Sequence, residues 1–142
     1  MNLSTTEIWS IVLGLIGTVT GILGFAIGFI SIRFRKYDIL SDYFSEIGSK
    51  ELIESRKKIY NSEGEDLTFD IDASLIINFY DRCGFLVFRH YLSFKTFNSY
   101  SGFSVVKLYE ILLPVLNERR KDNPGYARYF KSLYEKIKKK TN

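Results

Sequence analysis

From Ile8 to Ile32 the chain carries no charged side chain. At about 1.5 Å per residue, such a run crosses a bilayer as one helix. Within it, small residues recur at alternating spacings of four and three: Ser10, Gly14, Gly17, Gly21, Gly24, Gly28 and Ser31. That spacing averages 3.5 residues per turn, so all of them fall on one seam of a helix. Each glycine weakens a soluble helix by roughly 0.8–1 kcal/mol. In lipid, a stripe of small residues lets a second helix backbone approach closely, and the 3.5-residue period favours a shallow left-handed crossing. The competing explanation is composition alone, because glycine is common in membrane helices. The regular register across the whole span favours a packing seam, for a second copy or for another protein.

The flanks predict an anchor and not a cleaved signal peptide. Met1 to Glu7 holds an acidic residue and no Lys or Arg, whereas Arg33, Arg35 and Lys36 follow the run at once. A signal peptide has a basic leader and a shorter apolar core. The positive-inside rule puts residues 1–7 outside, residues 8–32 in the membrane and residues 33–142 in the cytoplasm, with Arg33, Arg35 and Lys36 at the lipid headgroups. Trp9 then takes the place of an interfacial aromatic at the outer end. The expected location is a bacterial inner (plasma) membrane, crossed once.

Residues 33–142 are the size of one small domain, with apolar periodicity that is helical throughout. Leu40, Tyr43, Phe44 and Ile47 continue the first helix beyond the membrane until Gly48 stops it. Ser49 is placed to cap a second helix bearing Leu52, Ile53, Ile59 and Tyr60. Asn61 to Asp70 is polar, with Gly64 among Glu63, Glu65 and Asp66, and reads as a solvated loop. Asp70 or Asp72 caps a third helix running through Leu75, Ile76, Phe79, Tyr80, Cys83, Leu86 and Val87 to His90. A fourth spans about Phe103 to Lys121, kinked or broken near Pro114. Asn123-Pro124 signals the start of a last helix, whose apolar face is Tyr126, Tyr129, Phe130, Leu133, Tyr134 and Ile137. The predicted fold is all-α: one N-terminal transmembrane helix followed by a small cytoplasmic helical bundle.

Charge is uneven along this domain although the whole chain is only modestly basic, at a formal +4. Acidic residues dominate from Asp38 to Asp81, and the chain ends in Lys136, Lys138, Lys139 and Lys140. Attraction between the halves and ordinary solvation of helix faces explain most of this. The terminal lysines are also candidates for contact with anionic lipid or a partner protein. Nucleic acid is the weaker partner, because the predicted aromatics fall on core faces and not among the basic residues.

Catalytic patterns are absent. There is one Cys and one His, which excludes an internal disulfide and the usual Cys/His zinc site. His90 is expected on the apolar side of the third helix as a packed histidine, and Cys83 as a small buried hydrophobe. Seven residues apart, the two are expected on one helix face but about 10 Å apart along its axis, too far to act as a nucleophile–base pair. No phosphate-cradling glycine loop, HExxH pair or serine elbow occurs. Asp81-Arg82 and Glu118-Arg119-Arg120 are either polar crossings inside the bundle or surface charges. The expectation is a non-enzyme with no cofactor and no metal.

The stretch Leu75-Ile76-Ile77-Asn78-Phe79-Tyr80-Asp81, with Gly84 and Val87, resembles a helix of bacterial single-pass membrane proteins that carry a helical cytoplasmic domain of unknown function. Tyr109 to Arg120, where that family often has Trp at the position of Tyr109, resembles its next element, an aromatic-apolar helix ending in a proline and an arginine pair. Pro124, Tyr126, Phe130 and Leu133 are similar to its closing segment. The resemblance covers about half of the chain and implies the same architecture. Members have no agreed activity, and some occur among prophage and antiviral-defence genes, so it supplies no catalytic residue. Two functions follow as expectations. One is a membrane-anchored module, self-associating through the seam or binding a cytoplasmic or membrane protein, in phage defence or superinfection exclusion. The other is a membrane-perturbing or pore-forming effector assembled through the same glycines.

Overall fold

The computed structural model describes residues 4–62, 67 and 70–141. Among them the chain is all-helical, with no strand and with helices α1 (Thr5–Ile47), α2 (Lys50–Asn61), α3 (Ile71–Phe88), α4 (Phe94–Ile111), α5 (Leu113–Asp122) and α6 (Arg128–Thr141). The contact network divides into two units, one ending at Asp38 and one beginning at Ile39. Most of the acidic loop expected around Gly64 lies outside the described residues, although Leu67 is buried.

The first unit is the greater part of α1. The helix is long and apolar enough to cross a membrane, and its large side chains, such as Leu13, Ile22, Phe25 and Phe34, are exposed. Its hydroxyls turn back on their own helix. Ser10 donates to the Thr6 carbonyl at 3.0 Å, Thr18 to Gly14 at 2.8 Å, Ser31 to Ile27 at 2.8 Å, and Thr20 to Ile16. Each is thereby satisfied within its own helix.

The second unit holds the last turns of α1 and helices α2 to α6. Gly48 ends α1, and Arg56 donates to the Ile47 carbonyl at 2.7 Å, a cation at a helix C terminus. Ser49 caps α2 by accepting from the Leu52 N–H at 3.3 Å. Asp70 caps α3 by accepting from Ala73 N–H at 2.8 Å. Asp72 instead ties α3 to α2, accepting from Lys58 at 2.7 Å and from Ser55.

α3 packs against α2, α4 and α6. Its buried positions Ala73, Ile76, Ile77, Phe79, Tyr80, Cys83, Gly84 and Val87 occupy more than one face. Tyr80 stacks on Phe130 of α6 at 5.4 Å, and Tyr109 of α4 meets Phe130 edge-on at 5.1 Å. Tyr43 of α1 lies 6.4 Å from Phe79 and 5.8 Å from Phe97, and its hydroxyl shares a 2.6 Å hydrogen bond with Ser101. Each such ring excludes 150–250 Å² from water, so aromatics give this small bundle much of its apolar burial.

The helix boundaries depart from the sequence expectation at three places. α3 stops at Phe88, and His90 sits in the following turn with φ 60°, exposed, not on an apolar helix face. Tyr91 and Leu92 N–H both return to the Leu86 carbonyl, and Leu92 is fully buried, so the turn is closed by an anchored leucine. α4 begins at Phe94 and not near Phe103. α6 begins at Arg128 and not at Pro124, with Ala127 at φ 51° just ahead of it. The break before Pro114 is as expected. α4 ends at Ile111 and α5 starts at Leu113, because Pro114 has no N–H to give to Glu110 and its ring would crowd that carbonyl.

Candidate helix-packing site and the polar ties of the bundle

The seam lies entirely on α1, and its glycines face open space. A Cβ added at Gly14, Gly17, Gly21, Gly24 or Gly28 would meet no atom within 4 Å. On a straight helix, residues seven apart drift by about 20°, so the stripe from Ser10 to Ser31 turns through roughly 60°. A partner helix following it would wind left-handed. Along the stripe the surface is backbone and small hydroxyls, flanked by exposed Leu13, Phe25 and Ile27. Arg33, Arg35 and Lys36 are exposed just past the run, and the Arg33 guanidinium lies 5.1 Å from the Phe29 ring centre.

Of the charged residues singled out from the sequence, Asp81, Arg82, Arg119 and Arg120 make crossings between elements, whereas Glu118 pairs with Lys121 on its own helix at the surface. One carboxylate oxygen of Asp81, on α3, accepts the Tyr129 N–H at 2.8 Å and the Phe130 N–H at 3.0 Å. It thus caps the N terminus of α6 from another helix, where a negative charge also suits the helix dipole. Arg82 pairs with Glu46 of α1. Arg119 donates to the Tyr126 hydroxyl at 2.6 Å and to Ser74 at 2.8 Å. Arg120 donates to the Tyr126 carbonyl at 3.1 Å, to Ala127 at 3.4 Å and to the Tyr109 hydroxyl at 3.2 Å. The arginine pair therefore holds the turn that leads into α6. These groups tie the helices and the turn into α6 together.

Cys83 is buried, and burial pushes its thiol up to about 12, so it is a packing group and not a nucleophile at neutral pH. Among the described residues, no three His, Cys, Asp or Glu side chains come together to hold a metal.

The terminal lysines do not form one cluster. Lys138 bonds Glu110 of α4 at 2.6 Å, and that pair holds the Glu110 carboxyl below its ordinary value. Lys136 lies over Phe94 at 4.4 Å and Phe88 at 5.2 Å, and Lys140 over Phe94 at 5.8 Å. Lys139 is exposed. Aromatic rings thus reach the surface beside these cations, where sequence reasoning expected aromatics on core faces away from the basic residues. Two signals in the chain foreshadow this: no acidic residue occurs between Arg82 and Tyr109, and Arg128, Ser132, Lys136 and Lys140 are spaced four apart. Compared with family models, curated proteins and solved structures, the chain finds no match.

Proposed function

We propose that this chain is a membrane-anchored module that self-associates, or binds a membrane partner, through the small-residue seam of α1 and presents its helical bundle to a cytoplasmic protein. The observation that carries the reading is the seam itself: small residues from Ser10 to Ser31, about a membrane thickness, on an exposed apolar helix, with open space at each glycine. Arg33, Arg35 and Lys36 support an outside N terminus and an inner-membrane location by the positive-inside rule. A role in phage defence or superinfection exclusion is proposed on the resemblance described above.

A pore-forming effector is the second reading, since a lone small-xxx-small pair suffices for pairing and this seam is far longer. It weighs less, because Thr18 and Thr20 spend their hydroxyls on carbonyls of their own helix, leaving little polar lining for a wet channel. Cross-linking in membranes tests the seam. Gly17→Leu, Gly21→Leu and Gly24→Leu together keep the helix apolar while holding partner backbones apart, and should abolish the cross-linked species. Ile16→Phe, Ile22→Phe and Leu23→Phe add bulk off the stripe and should leave it. Equal behaviour of the two sets refutes the seam. If the wild type does self-associate, permeability of the host membrane on expression separates module from pore.

A further inference from the structure

We propose that one face of the bundle is an anionic-lipid docking surface, built from the end of α3, the turn after it and one face of α6. Four rings there carry cations. Arg89 lies 5.7 Å from the Phe85 ring centre and Arg128 4.7 Å from that of Tyr129, while Lys136 and Lys140 cover Phe88 and Phe94 as above. Phe85 and Phe88 are each 37% exposed, and the neighbouring Tyr91 is 46% exposed. Phe85 and Phe88 also lie against Tyr129, at 5.5 and 6.4 Å. The result is one continuous surface of half-buried aromatics edged by four basic groups.

Charge complementarity calls for a polyanion, and two features choose a lipid surface over a nucleic acid. Base stacking needs an open ring face, yet each of these rings already has a cation over it. Half-buried rings with outward cations are instead what a headgroup layer accepts. The second feature is position within the bundle. Ile39 of α1 and Leu86 of α3 line the same cleft of about 380 Å³, while Tyr43 stacks further along on Phe79. The two helices therefore run antiparallel, and the Phe85–Arg89 end of α3 lies at the end of the bundle where α1 enters. Ile39 follows Lys36 by three residues, so covalent reach keeps it within about 11 Å of that headgroup-level lysine.

The proposal rests on the membrane-anchored reading, and its test separates the two. The full chain is placed in nanodiscs of phosphatidylcholine alone, or of equal parts phosphatidylcholine and phosphatidylglycerol. In a Trp9→Phe, Tyr91→Trp variant, quenching of the indole at position 91 by headgroup spin-labelled lipid reports docking. It should be strong in the anionic discs, weak in the neutral ones, and reversed by salt. Each cation near an anionic leaflet is worth about a five-fold shift in occupancy. Arg128→Gln with Lys136→Gln should therefore cut the ratio of docked to undocked bundle roughly twenty-five-fold, whereas Lys50→Gln with Lys57→Gln on α2 should not. Equal quenching in both lipids, or indifference to Arg128→Gln and Lys136→Gln, overturns the proposal. So does an oligothymidylate probe that binds in neutral discs and is lost with Lys136→Gln, which would assign the face to single-stranded nucleic acid. In the wild type, whose single tryptophan is Trp9, quenching by brominated lipid reports the anchor. If that fails, the anchored reading falls and this proposal with it; if it holds while position 91 stays silent, only this proposal falls.

Discussion

Gly84 is the position where the fold is most exposed to a single methyl group. A Cβ there would sit 2.6 Å from the carbonyl oxygen of Tyr129 and 2.8 Å from its carbonyl carbon and Cβ. The oxygen and the carbon are backbone atoms, so they cannot swing aside as a side-chain end would. Reaching an ordinary 3.4 Å contact requires α3 and α6 to part by about 0.8 Å locally. The same parting stretches the Asp81 bonds to the Tyr129 and Phe130 N–H groups, now 2.8 and 3.0 Å. In an exposed helix, Gly→Ala gains about 1 kcal/mol from propensity. Overpacking a filled interface costs about 1–3 kcal/mol, and weakening a cap costs about 1 kcal/mol more. The expected net effect of Gly84→Ala is a loss of about 2 kcal/mol, a fall of roughly 10 °C in midpoint for a domain of this size.

Gly102→Ala is the internal control. Its added Cβ meets Asn98 Oδ1 at 2.5 Å, but that is the end of a flexible side chain on the same helix. Asn98 can rotate, so Gly102→Ala should be neutral or stabilise by up to about 1 kcal/mol. Denaturation of the full chain in detergent, followed by circular dichroism, compares the two. A Gly84→Ala protein as stable as wild type would refute the close approach of α3 to the start of α6 and the boundary of α6 drawn from it.

The remaining expectations concern titration and reactivity. Cys83 should resist maleimide or disulfide reagents at about pH 8, where a free thiol near 8.5 reacts readily, and should label fully once the chain unfolds; rapid labelling of the folded protein would contradict its burial. Lys58 and Ser55 hold the Asp72 carboxyl below its ordinary value, so the stability it contributes is present above pH about 4 and is lost as pH falls through the lowered folded value. Asp72→Asn should therefore flatten the acid limb of stability against pH, and an unchanged acid limb would show that the α2–α3 tie carries no weight.

Much of this fold is written locally. The apolar run makes α1, Gly48 and Ser49 separate it from α2, Asp70 starts α3, and Pro114 splits α4 from α5. Each of these depends on groups within one turn of each other, through a cap bond, a missing N–H or a 3.6-residue apolar repeat. The seam of α1 is legible for the same reason, since small residues in register need no other helix to define them.

What the sequence leaves open is settled by groups distant along the chain. The first turns of α4 contain Thr96, Asn98, Ser99, Ser101 and Gly102, poor helix formers with a weak stripe, and they are held by burial of Phe97 and by the bond from Tyr43 to Ser101. Asn123-Pro124 is a strong local start for α6, yet the helix waits until Arg128. The Asp81 carboxylate caps it there from α3, and Arg120 holds the Tyr126 and Ala127 carbonyls in the turn. The exposed rings beside Lys136 and Lys140 depend on the same crossing, because only the meeting of α3 with α6 decides which side of an aromatic helix is covered. Helix propensity and caps act over a few residues at about 1 kcal/mol each. Where such signals are weak or conflict, the larger energies of buried rings and of charged hydrogen bonds between helices decide.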